Sequence, residues 1–342
     1  MLKKGFFMII GTTKEESSKE TRIALTPDVV KQLTLAGHTI LIEKDYGASA
    51  EYKNDDYLSV GAKLIENKQK IFKTSQIILQ IQPPNQHILK NLNKNQLVIA
   101  DFSHTNLSKI NTKCKILRLE LVPRISNTQN IDILSSQSTV RGYMAALYAL
   151  SISPRIAPQL TTAAASITAA KALIIGASLT GLQAASVFKR IGCRTTLADI
   201  NEKNRELANS VGADFFLISS PEEFINKLRN KDFILSAVSS ANKKAPPILS
   251  HAHLSSISNN AIIIDTTPNN IEIKKDYIKT DTYIFHRNPY FERLAPITAS
   301  KLWANNMLNL INLICLPHKQ LNLSLKEIEP MLYSKHHPKE QK

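Results

Sequence analysis

The chain has 342 residues, with 43 Lys or Arg against 28 Asp or Glu and a formal net charge of +15. At 43% apolar and 21% charged it has a globular composition, long enough for about two domains, and disorder, collagen and coiled coil are excluded. The basic residues are scattered in pairs at most (Lys3-Lys4, Lys243-Lys244, Lys274-Lys275), with no basic helix or aromatic-interleaved stripe, which argues against nucleic acid as a partner.

The N-terminal run Phe6–Ile10 reads as a first strand, being too short for a signal sequence and lacking a small-residue cleavage site. Further strands are predicted at His38–Glu43, Ile77–Ile81, Leu97–Asp101 and Lys115–Leu119. Between them lie helices at Pro27–Ala36, opened by a proline after Thr26, and more weakly at Asp55–Val60 and Ile88–Asn91. Val122–Asp132 reads as irregular and polar, and Ser136–Ser153 as a long helix stopped by Pro154. After an Ala/Thr-rich link, Thr161–Ala170, the alternation restarts. Strands are predicted at Ala172–Ile175, Arg194–Asp199, Asp214–Ile218, Phe233–Ala237 and Ala261–Asp265, with helices at Thr180–Ile191, Glu202–Val211 and Pro221–Leu228. A last helix spans Ile297–Leu313, and the tail from Pro317 is expected to fray. Strands alternating with helices predict an α/β class with parallel sheets.

No apolar run approaches the ~20 residues needed to span a bilayer. The best stretch, Leu302–Leu316, is interrupted by Asn305, Asn306, Asn309 and Asn312, so a soluble protein without direct membrane insertion is expected. Cys114, Cys193 and Cys315 lie far apart with no His at ligand spacing; neither disulfide nor metal site is expected, and reduced thiols fit the cytoplasm. Glycine is scarce, at 10 residues, so any glycine-dependent loop rests on very few positions.

The sharpest motif runs from Leu173 to Leu182, an apolar strand turning through Gly176-Ala177-Ser178-Leu179-Thr180-Gly181 into a helix. A dinucleotide loop uses its first glycine for a tight turn, its second for close approach of the backbone to the pyrophosphate, and its third for helix–strand packing. Gly176 and Gly181 hold the first and third places, and Ser178 holds the second, putting a Cβ and a hydroxyl where phosphate comes closest. Asp199 follows about twenty residues on, at a strand end, where a carboxylate hydrogen-bonds ribose hydroxyls and repels a 2′-phosphate; this favours NAD over NADP. A strand-end turn role for Asp199 stays open beside the ribose one.

With their flanks, these residues resemble the alanine dehydrogenase / nicotinamide-nucleotide transhydrogenase superfamily, over Ile9 to about Ile314. Glu20–Pro27 (ETRIALTP) is similar to the family's opening segment. Val122–Ser136 (VPRISNTQNIDILSS) is similar to the loop of the transhydrogenase alpha component, as are Gly142-Tyr143, Arg293-Leu294-x-Pro296 and Asn306-x-x-Asn309. The resemblance implies two Rossmann-like lobes with parallel sheets linked by long helices: residues 1–135 with 288–330, then 136–287, then a polar tail, 331–342. It implies NAD(H) bound in the second lobe, with Arg124, Gln129 and Asp132 orienting the nicotinamide, and Ser135, Gly176, Ser178, Leu179, Gly181, Asp199, Ile200, Asn201 and Ser239 contacting the cofactor. It further implies a homodimer, with hydride passing to NADP(H) on a separate NADP-binding subunit. Transmembrane subunits of the complex would couple that exchange to proton movement and hold this chain, otherwise cytoplasmic, peripheral to the inner membrane.

Two other readings remain open. One is an amino-acid dehydrogenase, which needs an Arg, a Lys and a proton-transfer group. Arg22 is present, but Gln80, Phe102 and Asn269 stand at the positions matching the family's Lys, His and Asp, with His104 two residues from Phe102. The other is a non-catalytic regulatory or assembly homologue. Asn201 replaces a common Arg, Asn270-Ile271 replace a Gly-Gly pair, and Asp214–Phe233 is short for the family.

Overall fold

The computed structural model describes residues 7–238, 247–257, 260–315 and 321–333. The chain runs β1 (Ile9–Thr12), α1 (Pro27–Leu35), β2 (Thr39–Glu43), α2 (Asn54–Ser59), β3 (Lys63–Ile65), α3 (Lys68–Thr74), β4 (Ile77–Leu79), α4 (Gln86–Asn91), β5 (Leu97–Ala100) and β6 (Lys115–Arg118). Helix α5 (Ile133–Ser151) leads to a hairpin, β7 (Leu160–Thr161) and β8 (Ser166–Ile167). The second alternation is β9 (Lys171–Ile175), α6 (Leu179–Arg190), β10 (Arg194–Asp199), α7 (Arg205–Ser210), β11 (Asp214–Leu217), α8 (Pro221–Leu228), β12 (Phe233–Ser236), α9 (His251–Ser255), β13 (Ala261–Asp265), β14 (Tyr277–Lys279), β15 (Tyr283–Arg287) and α10 (Pro296–Ile314).

The chain forms two compact units, residues 1–137 with 296–342 and residues 138–295. The first holds a parallel sheet in the order β3-β2-β1-β4-β5-β6. Its strands alternate between two cores. Ile77, Leu79, Leu97 and Ile99 join a cluster with Trp303 and Met307 of α10, while Ile78, Val98 and Ala100 join Phe72 and Leu89 on the other face. Burial on both faces is why these strands read as continuous apolar runs rather than alternating ones.

The second unit holds the order β11-β10-β9-β12-β13-β15-β14, parallel except for the antiparallel edge strand β14. Its strand order reverses between β9 and β12, and that of the first sheet between β1 and β4. In open α/β sheets, ligands bind beyond the carboxyl ends of the strands at such a switch point.

Several sequence expectations are corrected. The first strand begins at Ile9, which pairs with Thr39; Met8 adds only its carbonyl, accepting from Thr39 N–H at 3.0 Å, Phe7 precedes the strand, and Phe6 lies outside the described residues. The helix expected at Glu202–Val211 is a 3-10 turn, Glu202–Asn204, followed by α7. The Thr161–Ala170 link contains the hairpin. The short elements β3, α3, α9, β14 and β15 have no counterpart among the predicted ones. Of the tail expected to fray, the described part, residues 321–333, is packed: Ile328 and Met331 are fully buried in the first unit's core, and Tyr333 N–H donates to Ile116 O at 3.0 Å. Polar residues between its apolar ones hide this segment's packing face. Residues 334–342 lie outside the described residues. Among the described residues no helix is long and apolar enough to cross a membrane.

Candidate functional site

At the switch point of the second unit, β9 leads into Gly176, whose φ of +100 is left-handed. A Cβ there would meet Val238 Cγ2 at 2.8 Å. A Cβ on Gly181 would lie 2.0 Å from Gly176 O, so the helix and the loop touch backbone to backbone. The first and third glycines therefore serve the turn and the close packing that a dinucleotide loop requires. On the other side of α6, a Cβ on Gly142 would meet Thr180 O at 2.1 Å, and Thr180 Oγ1 donates to Ser138 O at 3.2 Å.

Ser178 is the N-cap of α6, with extended backbone at φ −68, ψ 167. Its Oγ accepts from Gly181 N–H at 3.3 Å and donates to Ala237 O at 2.6 Å. The side chain expected to crowd a phosphate is thus bonded to its own helix and to the end of β12. The N–H groups of Leu179 and Thr180 have no hydrogen-bond partner among the described residues, which leaves donors and the positive end of the helix dipole at the loop.

Asp199 closes β10. Its Oδ2 accepts from Ala177 N–H at 2.8 Å and its Oδ1 from Asn201 N–H at 2.9 Å. The carboxylate therefore links the strand end to the glycine loop, and each oxygen keeps a further lone pair for a ligand hydroxyl. Ile200 beside it is 79% exposed, and Asn201 accepts from Lys203 N–H at 3.1 Å. Ser239 lies outside the described residues.

The neighbouring strand ends are closed by groups that sequence reasoning does not assign to the site. Asn270 Nδ2 donates to Ser236 Oγ at 3.1 Å and to Val238 O at 2.8 Å. Arg287 pairs with Asp265 at 3.2 Å and donates to the carbonyls of Ile271 and Ile273. Burial pushes the Asp265 carboxyl above its ordinary range, while hydrogen bonds from Thr267 and the Arg287 guanidinium pull it back. The one sequence signal is Asn270-Ile271, standing where the family has Gly-Gly.

The structure thus gathers Gly176, Ser178, Leu179, Gly181, Asp199, Ile200 and Asn201 in the second unit. Arg124, Gln129, Asp132 and Ser135 lie in the first. Arg124 and Gln129 are exposed on a loop that includes a 3-10 turn, Ser126–Ile131. Asp132 is buried, and its oxygens accept from Ser135 N–H at 3.0 Å and Ser135 Oγ at 2.5 Å. That pattern caps the N-terminus of α5. Thr128 Oγ1 donates to Pro123 O and to Ile125 O. Asn306 and Asn309 donate to Asn130 O at 2.8 and 3.1 Å, and Ser136 Oγ donates to Asn306 Oδ1 at 2.6 Å. The motif asparagines of α10 therefore hold this loop in place.

Arg22 is not available as a substrate cation. Its guanidinium makes two bonds to Glu20, at 2.7 and 2.8 Å, donates to Gln137 at 3.1 Å and lies 5.3 Å from the Trp303 ring centre. Gln80 is buried and donates to Thr13 Oγ1 at 2.8 Å, Phe102 is buried, and His104 is exposed. Glu15, unflagged by the sequence, accepts from the N–H groups of Ile81 and Gln82 at 2.8 and 3.1 Å beyond β4. Among the described residues no three His, Cys, Asp or Glu side chains are placed to hold a metal ion.

The second-unit residues fit a nicotinamide dinucleotide on three counts. The left-handed Gly176 and tightly packed Gly181 leave no room for a Cβ, the Leu179 and Thr180 N–H groups have no partner among the described residues, and an acid ends the adjacent strand.

The family described as alanine dehydrogenase/PNT matches this chain twice, by its N-terminal domain over residues 11–141 and by its C-terminal domain over residues 145–337. An NAD(P) transhydrogenase subunit alpha component from Rickettsia prowazekii (strain Madrid E) is 28% identical, over 96% of this chain and 95% of its own. The solved structure of a transhydrogenase from Sinorhizobium meliloti superposes with a TM-score of 0.81 at 24% identity, covering 88% of this chain and 93% of its own. An L-alanine dehydrogenase structure gives 0.79 at 19% identity, covering 95% and 94%. At these identities the structural matches establish the fold.

Proposed function

Because the chain belongs to the alanine dehydrogenase/PNT family, we propose that it is the NAD(H)-binding component of a proton-translocating NAD(P) transhydrogenase, transferring hydride from NADH to NADP⁺ on a partner subunit. The observation that carries the reading is the Gly176–Gly181 turn, with the Leu179 and Thr180 N–H groups lacking a partner among the described residues and Asp199 at the adjoining strand end.

NAD(H), when bound, supplies the hydride chemistry itself. The chain's part is to bind and orient. Leu179 and Thr180 donate N–H groups to the pyrophosphate. Asp199 accepts from the ribose hydroxyls while still holding Ala177, and its charge excludes a 2′-phosphate. Arg124 and Gln129, exposed on the first unit's loop, carry donors of the kind that a carboxamide oxygen accepts. Asp132, with both oxygens on Ser135, acts by positioning that loop rather than by touching the ring. Direct hydride transfer needs no protein acid or base, so proximity and exclusion of water are what the site must supply.

The reading includes a homodimer, joined by the NADP-binding and transmembrane subunits, with the chain cytoplasmic and peripheral to the membrane through those subunits. The β7–β8 hairpin supports self-association: its facing residues Leu160 and Ile167 are 44% and 49% exposed, and a two-stranded ribbon is marginal alone. A second reading, a non-catalytic homologue, is favoured by Ser178 and Asp199 being bonded within the protein. An amino-acid dehydrogenase is disfavoured, because Glu20 holds Arg22 and Gln80, Phe102 and Asn269 stand at the positions matching the family's Lys, His and Asp.

Titration with NADH, followed by nicotinamide fluorescence, separates these readings. Saturable binding with NADPH excluded is expected. No binding up to millimolar NADH would overturn the proposal and leave the non-catalytic homologue.

A further inference from the structure

The end of the second unit opposite the glycine loop, built from helix C-termini and strand starts, is basic. Arg190 closes α6, Arg194 opens β10, Lys171 opens β9, Lys227 lies in the last turn of α8, and Lys231 precedes β12. Backbone bonds draw them together. Arg194 N–H donates to Ala170 O at 2.8 Å, Ala170 N–H to Ala157 O at 2.9 Å, and Asp232 N–H to Lys171 O at 2.9 Å. Gly192 sits against Pro158, where a Cβ would lie 2.8 Å from the proline Cβ. The loop carrying Arg155 and Ile156 therefore borders the turn carrying Arg190 and Ile191.

Cations at helix C-termini complement the macrodipole, which accounts for Arg190 and Lys227. It does not account for Arg155, Lys171, Arg194 and Lys231, which sit on strand starts and loops. Asp232, which lies among them, is already held by Lys171 N–H at 2.8 Å and Arg155 at 3.5 Å. Asp214 opens β11, one strand further out. Burial, then the charges of Lys227 and Lys171, push the Lys231 ammonium below its usual range, so like charges are crowded here.

Two branched aliphatic residues stand between these cations, Ile156 at 46% and Ile191 at 42% exposure. Cations interleaved with exposed aliphatic side chains match an anionic headgroup layer, where charge meets phosphate and the aliphatic groups rest at the acyl boundary. Phe216, whose ring centre lies 5.1 Å from the Lys227 ammonium, is half-buried and covered by that cation, so it offers no open platform for stacking bases. We infer that this basic pole docks the second unit directly onto an anionic phospholipid surface, with Ile156 and Ile191 at the headgroup boundary and no segment crossing the bilayer. This contact is separate from any made through partner subunits and does not depend on the nucleotide reading.

The full chain is to be sedimented with vesicles of phosphatidylcholine alone and of phosphatidylcholine with phosphatidylglycerol. Binding is expected only to the second, falling with added salt. The exposed-site variant K171E/R190E/R194E is expected to bind on the order of a hundredfold more weakly, each of the three cations near such a surface contributing on the order of fivefold. K63E/K68E/K70E, which changes net charge equally in the first unit, is expected to bind like the parent. Ile191→Ser, which leaves charge unchanged, is expected to weaken binding. Far-UV circular dichroism and the thermal midpoint establish that each variant is folded, independently of whether NADH binds. Failure to bind anionic vesicles, equal binding to neutral ones, or equal loss in the first-unit control overturns the proposal. So does a change of oligomeric state in K171E/R190E/R194E without loss of vesicle binding, which would make the patch a contact between copies.

Discussion

Ser178 shows how one side chain can change the work of a loop without breaking it. Its hydroxyl caps α6 and reaches Ala237 O, so Ser178→Ala should lower the unfolding free energy by ~1 kcal/mol, and Ser178→Gly by only a few tenths, measured by urea titration. The glycine variant should leave NADH affinity little changed, because the hydroxyl already points to protein. A marked tightening would show that the hydroxyl obstructs the phosphate, as its place in the glycine motif suggests. Glu15 gives a second test. Burial pushes its carboxyl up to about 8, against the pull of the Ile81 and Gln82 N–H groups. A carboxyl whose folded pKa is raised contributes stability that is full below the usual 4.5 and is lost as pH rises through about 8. Relative to Glu15→Gln, the parent should therefore lose stability between those values and level off above them. The motif around Gly176 is legible because three spaced residues carry it. The bonding of Asp199 to Ala177 is not, because it depends on a side-chain rotamer across two strands.

At the scale of elements, strands buried on both faces, such as Ile77–Leu79 and Ala261–Asp265, are readable as apolar runs, whereas Tyr283–Arg287, half-buried though internal to its sheet, is not. The edges divide: Lys115–Arg118 and Asp214–Leu217 are read from the sequence, and the other two are not. Lys63–Ile65 and Tyr277–Lys279 are three residues each, mixed in polarity, and become strands only because a neighbour offers a ladder. The irregular stretch Val122–Asp132 reads as polar, yet its order comes from a distant helix, through Asn306 and Asn309 on Asn130 O. Asn306→Ala should cost ~1–3 kcal/mol, since it removes the donor to Asn130 and the acceptor of Ser136, and amide exchange should quicken across residues 126–131. Asn309→Ala, at a half-buried position with the longer bond to Asn130 O, should have a smaller effect.

For the molecule as a whole, two Rossmann-like units follow from two runs of strand–helix alternation, but the path of the chain after α10 does not. The segment from Leu321 to Tyr333 places Ile328 and Met331 in the first unit's core. Ile328→Ala or Met331→Ala should each destabilise by ~2–5 kcal/mol in equilibrium unfolding, as large-to-small changes in a packed interior do. If the segment were loosely attached, neither would matter. The return of α10 and this segment to the unit that opens the chain also sets a timetable for synthesis. Residues 138–295 leave a ribosome as one uninterrupted block. The sheet begun at Ile9 must wait for Trp303, Met307, Ile328 and Met331, most of the chain later. At about 5–20 residues per second, that wait is roughly 15–65 s, during which its uncovered aliphatic face is the surface a chaperone would meet. The unit made first is the unit finished last.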